Sequence, residues 1–167
     1  NLKFDLRDLA STAPAPAQKP KGTPLLGLIN IKTQAKPKTG STSVIWNGKF
    51  GDLYTTQGEL NSEGELRYGL GVGGPANLPQ QGFSLNLVSN ELNADSWIDF
   101  LVQPNKKNVP IKADEPNTSQ IQMTVQAKKF ILMDRPWQDM NITATQKSGT
   151  LQMRMSSPQV NGQIQYS

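Results

Sequence analysis

"GFSLNLVSNELNADSWIDFL", residues 82–101, changes period halfway along. Phe83, Leu85 and Leu87 alternate with Ser84 and Asn86, the pattern of a strand with one apolar and one polar face. A short polar turn follows, and then Trp97, Ile98 and Leu101 fall at helical spacing. Asn93 is placed to cap that helix, and Asp95 lies in its first turn, where the helix dipole favours a carboxylate. Leu92 stands ready to staple against Trp97, and Pro104 ends the run, so the spacing predicts one short helix near residues 94–103. Its stripe of Trp97, Ile98 and Leu101 needs an apolar surface, and the nearest is a sheet face.

Outward from this stretch, period 2 dominates. Leu26, Leu28 (with Ile29) and Ile31 mark one run, and Leu66, Tyr68 and Leu70 alternate in another. Asn47-Gly48 reads as a tight turn between two strands, as do residues 61–64 and 146–149. Downstream the reading gives separate strands at Ile121/Met123/Val125 and Phe130/Leu132, then Trp137 to Thr145, Leu151 to Met155, and a last alternation through Ile164. Asp134, Arg135 and Asp139 flank Pro136-Trp137 and are expected to shape a turn. Gln120, Gln122, Thr124 and Gln126 mark the polar side of their strand, so one side of the sheet is wet. The expected fold is mostly β: an antiparallel curved sheet, an open groove or β-sandwich-like, with the one short α-helix. Periodicity leaves open sheet, sandwich and barrel unresolved. Residues 1–9 read as a leading strand, 10–23 as a Pro/Ala-rich linker or surface loop, and 24–167 as a single β-rich domain.

Composition removes several function classes. Cysteine and histidine are both absent, which excludes disulfides, thiolate chemistry, Cys/His zinc sites and a Ser-His-Asp triad. The net charge is +4, with lysines scattered among Pro, Gly and Asn instead of concentrated on a face with aromatics, so no nucleic-acid partner is expected. Attraction to an anionic membrane surface stays open. No apolar run approaches the roughly 20 residues of a membrane-spanning helix. The chain begins at Asn1 without an initiator Met, and reads as a mature or excised piece.

Three features invite a chemical reading and are better explained structurally. Asp95 and Asp99, four apart, read as a cap and a solvated helix edge instead of an acid/base or metal pair. "GLGVGGPAN", 69–77, lacks the Gly-Lys-Ser/Thr ending of a phosphate loop and reads as a turning loop. Asn117-Thr118-Ser119 and Asn141-Ile142-Thr143 match a glycosylation sequon that matters only in a eukaryotic secretory protein. No nucleophile, base and oxyanion site occur together, so neither catalysis nor a cofactor is expected. All five methionines lie from Met123 onward, and flexible thioethers suit either core filling or a surface that accepts varied apolar partners.

Two stretches resemble a known family. Residues 67–101, "RYGLGVGGPANLPQQGFSLNLVSNELNADSWIDFL", order an Arg-led strand, a Gly-Gly-Pro turn, a Leu-Pro turn, a Gly-led strand and an Asn/Asp-capped Trp helix. Residues 129–167 follow a Phe-Ile-Leu strand with "DRPWQDMNITATQKSGTLQMRMSSPQVNGQIQYS". Together they resemble the C-terminal region of AsmA-like envelope proteins of the YhdP type in Gram-negative bacteria. That resemblance implies a segment of a periplasmic, bridge-like lipid transport protein whose parent is anchored in the inner membrane outside this segment. It implies an apolar β-groove that takes phospholipid acyl chains between inner and outer membrane and maintains the permeability barrier, with envelope proteins as possible partners. The candidate lipid-contacting residues are Leu85, Leu87, Ile121, Met123, Val125, Phe130, Leu132, Ile142, Leu151, Met153 and Met155. Leu92, Trp97, Ile98 and Leu101 are the candidates for helix packing. Two alternatives remain: a structural or docking β-sandwich module of the envelope, and a carbohydrate-binding sandwich using Trp46, Tyr68 and Trp137.

Overall fold

The computed structural model describes residues 1–35, 41–102 and 120–167. It holds ten strands in one open, curved sheet whose spatial order is the chain order. These are β1 (Leu2–Asp5), β2 (Leu26–Ala35), β3 (Thr42–Phe50), β4 (Tyr54–Asn61), β5 (Leu66–Val72), β6 (Gly82–Asn93), β7 (Ile121–Leu132), β8 (Arg135–Lys147), β9 (Thr150–Ser156) and β10 (Asn161–Tyr166). One helix, α1 (Ala94–Val102), follows β6. A sandwich needs two sheets, and the described residues form one, so the sandwich geometry of both alternatives is not found among them.

Hairpins make every pairing antiparallel except around β6, which runs parallel to both β5 and β7. A parallel neighbour requires the chain to return to the starting level before pairing again. Residues 73–81 make that return between β5 and β6 as a strap laid against the polar face of the sheet. Thr55 Oγ1 donates to the Gly74 carbonyl at 2.8 Å, Gln57 Nε2 to Ala76 at 2.7 Å, and Asn86 Nδ2 to Pro75 at 2.8 Å. Ser84 Oγ donates to the Asn77 carbonyl, and Arg67 reaches both Pro79 and the Glu59 carboxylate. The glycines of "GLGVGG" are there for contact: a Cβ on Gly69 would stand 2.1 Å from the Asn77 carbonyl oxygen, and one on Gly71 would stand 2.4 Å from that of Gly74.

Two turns have their expected places. Asn61 Oδ1 accepts the amides of Glu63 and Glu65 in the β4–β5 turn, and Ser148-Gly149 turn β8 into β9 with positive φ. Asn47-Gly48 does not turn: both lie inside β3, and the chain reverses at Gly51, whose φ is +55°. Gly48 is a glycine because its neighbours crowd it, with Thr56 Cγ2 2.8 Å and Ile29 Cγ1 3.2 Å from a would-be Cβ. The β7–β8 turn is made by Met133 and Asp134 alone, since Arg135 and Asp139 both lie in β8.

Residues 121–132 form one strand, not two. Their alternation is interrupted because the ladder skips Asn90/Lys128 and Lys128/Asp139, with Asp139 in the left-handed region at φ 48°. Across this break the inward series shifts by one residue: Val125 and Ala127 before it, Phe130 after it, all in one buried cluster. The same shift brings both Trp137 and Met140 of β8 to that cluster.

Residues 10–23, expected at the surface, fold over the apolar face instead. Ala17 (6% exposed) belongs to the buried cluster, and Lys19 (3% exposed) gives its ammonium to the carbonyls of Arg7, Leu9 and Pro20. Three carbonyls satisfy a buried cation that would otherwise be costly.

Candidate functional site

Cross-strand register places apolar side chains in rows along one face. One row runs Leu70, Leu85, Met123, Ala144, Met153 and Ile164 across β5 to β10. The next runs Val72, Leu87, Val125, Ile142, Met155 and Gly162. A third, nearer the start of β5, holds Tyr68, Phe83, Ile121, Gln146, Leu151 and Tyr166. The rows extend through Tyr54, Phe50, Trp46 and Ile31 towards Phe4 of β1. With neighbouring strands ~4.8 Å apart, nine gaps make this face about 43 Å wide. The opposite face carries Ser84, Gln122, Thr145, Gln152 and Gln165 in one row and Asn86, Thr124, Thr143, Arg154 and Gln163 in the next.

A single layer has no second sheet to bury its apolar side. Among the described residues no side chain larger than that of Ser43 is fully buried, while Ile31, Leu60, Leu66, Tyr68, Ile121 and Tyr166 are exposed on the apolar face. Among the described residues, the cover lies at one end of the strands. Along β7, exposure falls from 41% at Ile121 to 7% at Val125, where the loop of residues 10–23 and α1 close over the face. Tyr54 Oη donates to the Ala17 carbonyl, and Trp97 Nε1 to the Ala15 carbonyl at 3.0 Å. The face is therefore a trough, walled at one end of its strands and open at the other.

The helix that forms the wall is fixed at both levels. Asn93 Oδ1 accepts the Ser96 amide, which is the expected N-cap. The Asp95 carboxylate is more than a solvated edge: Oδ1 accepts the Met133 amide at 2.9 Å and Oδ2 that of Asp134 at 3.1 Å, pinning α1 to the β7–β8 turn.

Among known proteins, a family model described as YhdP protein matches residues 1–167. The chain belongs to the YhdP family. No curated protein and no solved structure matches it. This YhdP-family sheet gathers all eleven candidate lipid-contacting residues on one face. Leu85, Leu87, Ile121, Met123, Val125, Ile142, Leu151, Met153 and Met155 occupy the three rows; Phe130 and Leu132 join the same cluster beyond the ladder break. Leu87, Val125 and Phe130 are buried under the wall, whereas Ile121 and Leu151 lie open.

Of the helix residues, Leu92 is buried and Trp97 packs on the cluster with Ala94. Ile98 does not pack: it is 50% exposed, since the face holding Ala94 and Trp97 is set by i, i+3 spacing and Ile98 sits ~100° around from Trp97. The Leu101 side chain lies outside the described residues, as do Pro104 and Asn117-Thr118-Ser119. Sequence reading missed Tyr54, Val72, Ala17 and Met140, which line the closed end. Val72 carried a signal, as the continuation of the Leu66/Tyr68/Leu70 alternation, and Met140 as one of the five methionines. Trp46 and Tyr68 share one cross-strand row on either side of Gly58, but Trp137, paired to Phe130, packs against the buried cluster at the closed end, so the three make no common exposed platform. Among the described residues no helix is long and apolar enough to cross a membrane, and no three acidic side chains gather to hold a metal.

Proposed function

We propose that this chain is a periplasmic segment of a bridge-like lipid transport protein, anchored in the inner membrane by a part of its parent outside residues 1–167. Its trough holds phospholipid acyl chains on their way between inner and outer membrane, and so supports the permeability barrier. The observation that carries this reading is an apolar face running across ten strands, backed by a polar face and, among the described residues, covered at one strand end. Family membership supports it.

The physics asks for no catalysis. Each methylene kept from water is worth about 0.8 kcal/mol, so a tail of roughly 16 carbons crossing water unaided faces a barrier of order 10 kcal/mol. A continuous apolar face lowers that barrier while the head group stays hydrated. Methionines at Met123, Met153 and Met155 supply side chains that re-pack around a moving chain. Movement runs along the rows, from strand to strand, because that is the direction in which the apolar surface is unbroken.

The test is photo-crosslinking in cells from positions 85, 123 and 153, with Gln122 on the polar face as control. Phospholipid is captured at the first three and not at Gln122. Equal capture at Gln122, or none at the three trough positions, refutes the assignment.

A further inference from the structure

Residues 11–19 form a loop that keeps its own shape. Ser11 and Lys19 exchange two backbone hydrogen bonds at its neck, 2.8 and 3.1 Å, and the Ala17 amide donates to the Pro14 carbonyl at its tip. The buried Lys19 ammonium binds the neck to the carbonyls of Arg7 and Leu9. Its hold on the rest of the sheet is thin by comparison: the Tyr54 hydroxyl, the Trp97 indole N–H, and the methyl groups of Ala13 and Ala17. Alanine is the smallest apolar side chain, yet here it shares a cluster with Val72, Leu87, Val125 and Phe130. Val72, Leu87 and Val125 lie two positions beyond Leu70, Leu85 and Met123 of the neighbouring row, and Phe130 follows on β7 past the ladder break.

The geometry points to a second acyl-chain site beneath this loop. The loop is a preformed plug that an acyl chain displaces as a unit, and Tyr54 and Trp97 are its latch. This rests on the reading of the apolar face as a lipid path. An acyl chain fits the place because it enters from the open rows, needs no hydrogen-bond partner, and replaces methyl groups with methylenes. Displacement costs the loop little internal structure, since its own neck and tip hydrogen bonds move with it. It also frees the Ala15 and Ala17 carbonyls and the Tyr54 and Trp97 donors to pair with water, so displacement adds no buried polar group to the Trp137 Nε1 that already lacks a partner there.

The chain has no cysteine, so a single thiol is a clean reporter. Ala17→Cys is placed in the full chain together with a photo-crosslinker at position 85, and maleimide labelling is timed with and without phosphatidylethanolamine/phosphatidylglycerol vesicles. Labelling is slow without lipid and at least tenfold faster with it, and Tyr54→Phe/Trp97→Phe speeds it in the absence of vesicles. Ala13→Cys reports the same movement should Ala17→Cys fail to fold. Lipid captured at position 85 with the thiol still labelling at its lipid-free rate makes the loop a fixed wall and overturns the plug, leaving the lipid path intact. No capture at position 85 overturns both.

Discussion

Gly69→Ala probes the contact between strap and sheet directly. The new Cβ meets the Asn77 carbonyl oxygen at 2.1 Å and Ser84 Oγ at 2.9 Å, where ordinary contact begins at 3.4 Å. The strap must therefore retreat by about 1.3 Å, the difference between 3.4 and 2.1 Å. That stretches the Ser84–Asn77 hydrogen bond past its useful range and loosens Asn86–Pro75 and Gln57–Ala76 on either side. Ser84 and Asn86 are buried, so losing a partner costs each about 1–3 kcal/mol. The sum is about 2–6 kcal/mol, a large share of the roughly 5–15 kcal/mol that holds a domain together. At about 2–4 °C per kcal/mol for a chain of this size, the melting temperature falls by ~4–24 °C. The assay is thermal unfolding followed by circular dichroism, with Gly162→Ala as control, because its nearest neighbour would be Met155 Cγ at 4.0 Å. A Gly69→Ala protein melting within ~2 °C of the parent refutes the close approach of strap to sheet.

Other outcomes follow from the same geometry. Asp95→Ala removes the acceptor for two turn amides and lowers stability by about 1–2 kcal/mol in urea unfolding, while Asp99→Ala, on the exposed side of α1, shifts it by under ~0.5 kcal/mol. Val125→Asp puts a charge into the closed end of the trough and costs about 4 kcal/mol or more, whereas Gln126→Asp on the polar face is nearly neutral; equal effects in urea titration would contradict the two-faced sheet.

The balance beneath the plug is close enough for exchange. Two ring hydrogen bonds at about 1 kcal/mol each and two buried methyl groups at about 0.8 kcal/mol each hold the loop down with roughly 4 kcal/mol. Five methylenes of an acyl chain at about 0.8 kcal/mol each offset that. An acyl chain from the open rows therefore competes with the loop on nearly equal terms, which is the condition for a displaceable cover.

Alternation along the chain was enough to establish strands, their apolar and polar sides, the Asn93-capped helix and the turns at 61–64 and 146–149, because each depends on residues within a few positions of one another. The eleven trough residues were legible for the same reason: period 2 already assigns a side to every residue of a strand. Tertiary structure decided what alternation does not encode. The strap explains "GLGVGG", since only the return of residues 73–81 over β5 reveals what its glycines must admit. The ladder break at Lys128 and Asp139 explains why one strand imitated two. Gly48 mimicked a turn because crowding by a neighbouring strand and a bend in the chain both call for glycine. Whether the sheet stays open, and that a Pro/Ala segment plus Trp97 closes one end of it, depends on contacts between residues up to 82 positions apart. The stretch 82–101 thus specified a strand and a helix by itself, and packing against residues 11–19 made that helix one wall of a trough.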